Sequence, residues 1–98
     1  MLPVRNAVVH ATVGLHARPA AQFVRAVHET GLPVTISKNG RPRVDARSLL
    51  EVMTEDFPQG CEVQLAVAPD AVPSRYSPED VEAALDSLRA LLESGPAR

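Results

Sequence analysis

The chain has 98 residues, enough for one domain and too few for two. Its formal net charge of −2 argues against a nucleic-acid partner, because nucleic-acid binders carry a concentrated basic face. No apolar run approaches the roughly 20 residues that cross a bilayer, and the first residues lack a signal-peptide pattern. The lone cysteine, Cys61, suits a reducing compartment. We therefore expect residues 1–98 to form a single cytoplasmic domain, monomeric and without membrane insertion.

The first part of the chain predicts a strand followed by an amphipathic helix. Residues 4–11 form a short segment rich in Val and Ala, which is typical of a strand. From Ala17 onward the apolar side chains recur every three or four residues, in a stripe of Ala20, Phe23, Val24 and Val27. Pro19 falls in the first turn, where a missing N–H costs least, and Gly31 is placed to end the helix.

A hairpin is predicted next. Residues 33–38 alternate apolar and polar side chains, and the Asn39-Gly40 pair after them favours a tight turn because both residues tolerate positive φ. A third strand over residues 41–46 should pair back across that turn. Pro42 should shorten this strand or place it at an edge, because proline has no N–H to donate.

A short helix and a strand should follow the hairpin. Ser48 and Glu51 have the spacing of a capping box, so we expect a helix to begin at Ser48 and to end before Pro58. Residues 61–67 alternate as a half-buried strand does, and residues 68–77 have two prolines and no periodicity, which is typical of a loop.

The last element should be the longest helix. Ser77, Pro78 and two acidic residues form a helix start, and Gly95-Pro96 should close the helix. The apolar stripe is formed by Val81, Ala84, Leu85, Leu88, Leu91 and Leu92. The complete order, β-α-β-β-α-β-α, predicts an α+β fold. We expect a two-layer open-faced sandwich, in which a four-stranded antiparallel sheet has three helices on one face.

The segment with the most chemical information precedes the first helix. His16 stands at the edge of that helix, and Arg18 follows two residues later. Neutral imidazole is a good nucleophile near pH 7, since its unperturbed pKa is about 6.5. A helix N-terminus and a guanidinium should disfavour imidazolium, and they can hold phosphoryl oxygens after a transfer. By spacing alone, His16 could equally be a helix cap or an ordinary surface residue.

The sequence around this histidine resembles a known motif. Gly14-Leu15-His16-Ala17-Arg18-Pro19-Ala20-Ala21 is similar to the active-site motif of the HPr family. These proteins are the histidine-containing phosphocarriers of the bacterial phosphoenolpyruvate-dependent sugar phosphotransferase system. The similarity extends over most of residues 4–67, and the predicted element order is also that of the family.

The resemblance implies a phosphoryl relay. The family accepts phosphate from enzyme I on the ring Nδ1 of the motif histidine and passes it to the IIA components of sugar permeases. His16 would be the acceptor, Arg18 the phosphate partner, and the N–H of Ala17 a further donor to the phosphate. Such a carrier needs no metal and no cofactor, and it is a phosphohistidine intermediate rather than a free-standing enzyme.

Ser48 has two compatible interpretations. As a structural residue it is a helix N-cap that Glu51 supports. As a functional residue, Ser48 matches the regulatory serine that HPr kinase/phosphorylase modifies in many bacteria, because Arg47-Ser48-Leu49-Leu50 resembles that segment. A phosphate at a helix start is electrostatically favourable, and its charge would repel an acidic partner.

The second helix should also contribute to docking. By analogy, Leu49, Leu50 and Met53 would form part of the apolar patch around the histidine, although some of them could be core, Leu50 first among them. Two features depart from the family pattern. Glu51 stands where Gly is frequent in the serine-regulated branch, and Glu55 and Asp56 lie in a segment that is usually small or apolar. These acids affect the expected partner choice and serine regulation.

Two alternatives remain open from sequence. One is a paralogous phosphocarrier that serves a nitrogen-related or dihydroxyacetone phosphorelay, whose acceptor site would look the same. The other is a regulatory binding module that acts through Ser48 while His16 is idle. The sequence does not identify the sugars or the pathway downstream.

Overall fold

The computed structural model describes residues 3–94, with the side chain of Pro69 left out of the description. Its elements are the strands β1 (Val4–Val8), β2 (Val34–Lys38), β3 (Val44–Asp45) and β4 (Glu62–Val67), and the helices α1 (Ala17–Thr30), α2 (Leu49–Glu55) and α3 (Pro78–Glu93). The order is the predicted β-α-β-β-α-β-α. A short 3-10 helix, Pro69–Ala71, lies inside the segment predicted as a loop.

The four strands form one antiparallel sheet in the order β1-β4-β2-β3. Ala7 pairs with Val63, and Leu65 pairs with Ile36, which in turn pairs with Val44. Since side chains alternate between the two faces of a sheet, these paired residues lie on one face. This arrangement confirms the α+β fold and the four-stranded antiparallel sheet.

One core joins this face of the sheet to the helices. Its strand residues are Ala7, Val34, Ile36, Val63, Leu65 and Val67, and its helix residues include Phe23, Val27, Val52, Leu85 and Leu88. All four residues of the predicted α1 stripe are buried. In α3 the stripe is confirmed for Val81, Leu85, Leu88 and Leu92, whereas Leu91 is 37% exposed. The apolar periodicity of α1 and α3 therefore explains how both helices pack.

Two strands are shorter than predicted. β1 ends at Val8 rather than at Ala11, because the N–H of His10 donates to Leu92 O of α3 and not to the sheet. β3 spans two residues of the predicted 41–46. The Asn39-Gly40 turn forms, with Arg41 N–H donating to Lys38 O at 3.0 Å. The first bridged pair beyond it is Ile36 with Val44, so the hairpin is not a tight two-residue one.

The helix caps follow the sequence signals with one correction. In α2 the Glu51 N–H donates to Ser48 Oγ at 3.2 Å, as a cap should. The Glu51 carboxylate accepts from the N–H of Asp45 instead of Ser48, so the predicted capping box is only half formed. The complete box lies at α3, between Ser77 and Asp80. The predicted closure at Gly95-Pro96 lies outside the described residues.

Candidate functional site

His16 is the N-cap residue of α1. Its backbone is extended, with φ −129° and ψ 159°, and the helix begins at the next residue. The imidazole makes no capping hydrogen bond to the helix N–H groups, and the side chain is 39% exposed. The ring is therefore neither packed in the core nor occupied as a cap, and one of its nitrogens can face an incoming group.

A carboxylate lies against this ring. The Nε2 atom of His16 is 2.7 Å from Oδ1 of Asp56, which is the residue that ends α2. The Asp56 side chain is 61% exposed, and among residues 3–94 no other side chain hydrogen-bonds the imidazole. The sequence predicted only positive groups beside the ring. The structure adds a negatively charged group as the hydrogen-bond partner of Nε2.

The two loops that meet at the site are held together by the backbone. Leu15 N–H donates to Phe57 O at 2.8 Å, and the Phe57 side chain is fully buried. Gly14 packs directly beneath this contact with φ +71°, and a Cβ atom there would lie 2.5 Å from Phe57 O. Only glycine combines this backbone angle with so close an approach. The close contact between the two loops therefore requires the glycine at position 14 of the motif.

Lys38, the last residue of β2, also holds the turn that carries Asp56. The Lys38 ammonium donates to the carbonyl oxygens of Glu55 at 2.9 Å and Asp56 at 2.7 Å. It also lies 5.7 Å from the centre of the Phe57 ring. A cation at the end of a helix satisfies its last carbonyl groups and complements its dipole. Lys38 therefore fixes the backbone on both sides of the Asp56 Cα atom.

Backbone strain is concentrated at this contact. In the described part of the chain, the non-glycine residues with positive φ are Ala17 at 49° and Asp56 at 68°. Ala17 is the neighbour of His16 in sequence, and Asp56 is its hydrogen-bond partner. Such angles cost of order 1–3 kcal/mol each and cluster at functional sites.

Arg18 and the first amide groups of α1 remain available to an anion. Arg18 is exposed, and within residues 3–94 its guanidinium forms no ion pair. The first backbone bond of the helix runs from Ala20 N–H to His16 O, and Pro19 has no N–H. The N–H groups of Ala17 and Arg18 thus belong to the unpaired set at a helix start, where anions bind.

Ser48 lies at the other end of the α1–α2 pair. His28, near the end of α1, bonds Arg47 O through Nε2 at 2.9 Å, whereas His16 at the start of α1 contacts Asp56 at the end of α2. The two helices are therefore antiparallel. The seven residues of α2, about 10 Å at 1.5 Å per residue, separate the Ser48 cap from the end that carries Asp56.

The apolar side chains of α2 differ from the prediction in which of them are buried and which are exposed. Leu50 is 77% exposed and Leu49 is 40% exposed, while Met53 is half-buried against the core. The inward residue is Val52, which is fully buried. The sequence favoured Leu50 as the core residue of this helix, and that is wrong. Leu50 is instead the most exposed large apolar side chain in the described part of the chain.

A second apolar surface adjoins Arg18. Val13, which is 60% exposed, and Leu91 of α3 line a shallow groove together with the Arg18 side chain. The exposure of Leu91, unexpected from the α3 stripe, is explained by this position at the edge of the groove. Large apolar side chains next to an exposed guanidinium are typical of a surface that contacts other proteins.

The described residues contain neither a cluster suited to a metal ion nor a helix suited to crossing a membrane. No group of three or more His, Cys, Asp or Glu side chains suited to a metal ion occurs within residues 3–94. None of the helices described is both long enough and apolar enough to cross a membrane. Cys61 is half-buried at the start of β4, and burial raises the pKa of its thiol.

Fold and site together define a small open-faced sandwich that presents a histidine at a helix start. Comparison with known proteins places the chain in a family with these features. A family model described as "PTS HPr component phosphorylation site" matches residues 4–94. The phosphocarrier protein HPr of Streptomyces coelicolor is 45% identical over 82 residues, which cover 84% of this chain and 78% of that protein. The HPr of Borreliella burgdorferi is 30% identical over 90 residues, 92% of this chain and 93% of that protein.

Solved structures agree with the sequence comparisons. The crystal structure of a phosphocarrier protein HPr from Bacillus anthracis matches with a TM-score of 0.70 at 26% identity, covering 94% of this chain and 98% of that one. An HPr from Thermoanaerobacter tengcongensis matches with a TM-score of 0.66 at 27% identity, covering 91% and 93%. The chain belongs to the HPr family of phosphocarrier proteins of the phosphotransferase system, as its sequence motif predicted.

Asp56 is the site residue that sequence reasoning missed. It lies 40 positions from His16, and no local pattern connects the two residues. A signal was nonetheless present, because the sequence marks Glu55 and Asp56 as departures from the pattern that it otherwise resembles. From the sequence these acids are expected to affect partner choice and serine regulation, whereas the structure places Asp56 on the imidazole itself.

Proposed function

We propose that His16 of this phosphocarrier accepts a phosphoryl group from one protein and passes it to another. The observation that carries the proposal is the partly exposed His16 ring at the start of α1, with Arg18 and the amide N–H of Ala17 on the same turn. Relatives named phosphocarrier protein HPr, which match most of the chain, support the same role.

The chemistry requires little beyond this arrangement. The lone pair of a neutral ring nitrogen attacks phosphorus, the bond from phosphorus to the donor atom breaks, and the phosphoryl group remains on nitrogen. The guanidinium of Arg18 and the first amide N–H groups of α1 hold the phosphoryl oxygens. A P–N bond is labile, so the group stays ready for onward transfer. The protein is a reaction intermediate rather than a free-standing enzyme, and the mechanism uses no metal and no cofactor.

The partners we propose are enzyme I as donor and IIA components as acceptors. Docking would use apolar side chains next to the site, namely the exposed Leu49 and Leu50 and the half-buried Met53 on α2, and the exposed Val13 on the loop before α1. Brief contacts of this kind suit a carrier that must release one partner before it binds the next. A nitrogen-related or dihydroxyacetone relay would use the same acceptor site, so a pull-down that identifies the phosphodonor distinguishes these relays from the sugar branch.

Ser48 is the residue we propose for regulation by HPr kinase/phosphorylase. Its hydroxyl is half-buried, and its Oγ already accepts the Glu51 N–H at the start of α2. A phosphate there would keep this capping interaction and add negative charge beside Leu49 and Leu50. Because the α2 helix separates Ser48 from the ring, the added charge would weaken docking rather than alter the imidazole.

We further propose that residues 1–98 act as one domain in the cytoplasm, which fits the single free thiol. The test of the function is incubation with phosphoenolpyruvate and a purified enzyme I, followed by intact-mass measurement. The expected result is a gain of one phosphoryl group that is labile in acid and absent in His16→Ala. A wild-type protein that gains nothing, or a His16→Ala variant that still gains the group, would contradict the proposal. The first outcome would favour a binding module that acts through Ser48.

A further inference from the structure

The hydrogen bond between His16 and Asp56 limits which ring nitrogen can react. An ionised carboxylate is an acceptor only, so at 2.7 Å the Nε2 atom of the ring must carry the hydrogen. In a neutral imidazole with hydrogen on Nε2, the lone pair available for attack is on Nδ1. The contact therefore selects one of the two tautomers.

Several contacts fix the position of the Asp56 backbone. Its own N–H donates to Val52 O at 3.3 Å, Lys38 holds the carbonyls of Glu55 and Asp56, and the next residue, Phe57, is anchored in the core. The backbone is held at φ 68° and ψ 98°, outside the conformations that residues other than glycine usually adopt. Such strain persists only when the surrounding structure enforces it.

The Asp56 carboxylate has no structural partner that would explain this strain. It makes no hydrogen bond within residues 3–94 except the one to the His16 ring, and it is largely exposed. The charged groups nearest to it serve other atoms, since Lys38 binds backbone carbonyls and Glu55 pairs with Arg41. The side chain is thus free to act on the imidazole.

We propose that Asp56 is a positioning residue for phosphoryl transfer, which holds hydrogen on Nε2 of His16 and stabilises the positive charge that the ring acquires when Nδ1 is phosphorylated. This inference rests on the proposed function of His16. In the transfer step the Nδ1 lone pair forms the bond to phosphorus, and the bond between phosphorus and the donor nitrogen of a protein phosphohistidine breaks. That bonding pair stays with the donor, while the Nε2 hydrogen of His16 remains in place.

The charge change explains why a carboxylate suits this position. Attack through Nδ1 leaves the five-membered ring with a positive charge shared between its nitrogens, and the Nε2–H then becomes a charge-assisted donor to Asp56. Because a hydrogen bond to a charged ring is stronger than one to a neutral ring, the loss of this bond should slow phosphoryl acceptance by about 10-fold. The onward step, donation to an acceptor, starts from this charged ring, so loss of the carboxylate should not slow it.

The test compares wild type with Asp56→Gly and Glu62→Gln. Glycine removes the carboxylate and accepts φ 68° without strain, so the loop should stay folded. Glu62 is an exposed residue at the start of β4 that forms no hydrogen bond with His16 or Asp56, so Glu62→Gln controls for the loss of one negative charge. Denaturant unfolding of each variant shows that the fold is retained.

Two readouts follow. The nitrogen-15 shifts of the His16 ring, measured well above pH 6.5 so that imidazole is neutral, report the tautomer without any donor protein. We expect Nε2–H in wild type and Glu62→Gln, and a larger Nδ1–H fraction in Asp56→Gly. The rate of phosphoryl acceptance from phosphorylated enzyme I should fall about 10-fold in Asp56→Gly alone. Hydrogen on Nδ1 in wild type, an unchanged tautomer in Asp56→Gly, or equal rates would each overturn the inference. A wild type that accepts no phosphate refutes the proposed function instead, and the tautomer measurement stays interpretable.

Discussion

The backbone N–H of Leu15 donates to the carbonyl oxygen of Phe57 at 2.8 Å. This bond is one of several that join the loop before α1 to the loop after α2, and each loop presents one member of the His16–Asp56 pair on its exposed side. The buried Phe57 side chain anchors one loop, and Gly14 allows the other to approach it closely. Variants of the joining residues should therefore affect the site without touching either reactive side chain.

Gly14→Ala should destabilise the protein by roughly 2–4 kcal/mol. The alanine Cβ atom would lie 2.5 Å from Phe57 O and 2.8 Å from Pro58 Cα, in addition to the cost of positive φ. Gly40→Ala is the matched control, because Gly40 has a similar φ of 77° and nothing within 4 Å of the added atom. We expect the control to lose only about 1–2 kcal/mol. Denaturant unfolding measures both values, and equal losses would show that the loop contact does not matter.

Arg18→Gln should slow phosphoryl acceptance by about 10-fold with little change in stability, because an exposed guanidinium with no ion pair within residues 3–94 has no structural role to lose. Arg25→Gln removes the same charge from the same helix at a side chain that is 82% exposed and that, among residues 3–94, pairs only with Glu29. Single-turnover transfer from phosphorylated enzyme I gives the rates. If Arg25→Gln slows transfer as much as Arg18→Gln, the effect is general electrostatic attraction rather than contact with the phosphate.

Leu50→Ser should weaken docking and leave stability within about 0.5 kcal/mol of wild type, because the leucine is 77% exposed. Val52→Ala, two residues along the same helix, should do the reverse. Val52 is fully buried, so its truncation should cost about 1–3 kcal/mol while the docking surface stays intact. Titration against enzyme I gives the affinity, and thermal unfolding gives the stability. Unchanged affinity in Leu50→Ser would remove α2 from the docking surface.

Ser48→Ala should cost about 1 kcal/mol, because the Glu51 N–H loses its capping oxygen. Ser48→Asp should restore most of that stability, since aspartate is also an N-cap residue and its charge complements the helix dipole. A binding titration of both variants with enzyme I distinguishes the effect of losing the helix cap from the effect of adding a negative charge. We expect weaker binding in Ser48→Asp only, and equal affinities for both variants would contradict a charge-based regulatory role for Ser48.

Acid should destabilise the protein through two arginine-bound carboxylates. A hydrogen bond from Arg41 holds the pKa of Glu55 below its ordinary value, and one from Arg47 does the same for the pKa of Asp45. When the folded pKa lies below the unfolded one, the stabilisation is complete above the unfolded pKa and is lost as the pH falls through the folded value.

We therefore expect the free energy of unfolding to decrease as the pH is lowered from about 5 towards 3. The double variant Arg41→Gln/Arg47→Gln should be less stable at neutral pH and should show a shallower decrease over that range. Urea unfolding at several pH values measures both slopes. Identical slopes would mean that other carboxylates dominate the acid response.

The sequence predicts the number, type and order of the helices and strands because each is encoded by local periodicity and by its own caps. The lengths of β1 and β3 are less predictable, since a strand ends where its pairing partner ends. The N–H of His10 donates to Leu92 O of α3, and Pro42 has no N–H that could donate to β2. Neither outcome depends on residues close by in sequence alone.

The orientation of α2 shows a second limit. Leu49, Leu50, Val52 and Met53 spread apolar side chains over an arc of about 160° on this short helix, so the sequence does not define which edge of the arc faces inward. The packing of α2 against α1 and the sheet buries Val52 and leaves Leu50 exposed. In the site, His16, Ala17 and Arg18 follow from one motif, whereas Asp56 enters through a tertiary contact that periodicity cannot reveal.

The bond between Leu15 and Phe57 also sets a requirement on the integrity of the chain. The eight-residue motif is complete by residue 21, but the carboxylate that contacts its histidine arrives only after β2, β3 and α2 have been added. A fragment that stops before residue 56 would retain every letter of the motif and lack the groups that orient it. The ability of His16 to accept a phosphoryl group should consequently appear together with folding, in one cooperative step. Unfolded protein should still contain the histidine but lose the preference for one tautomer of its ring.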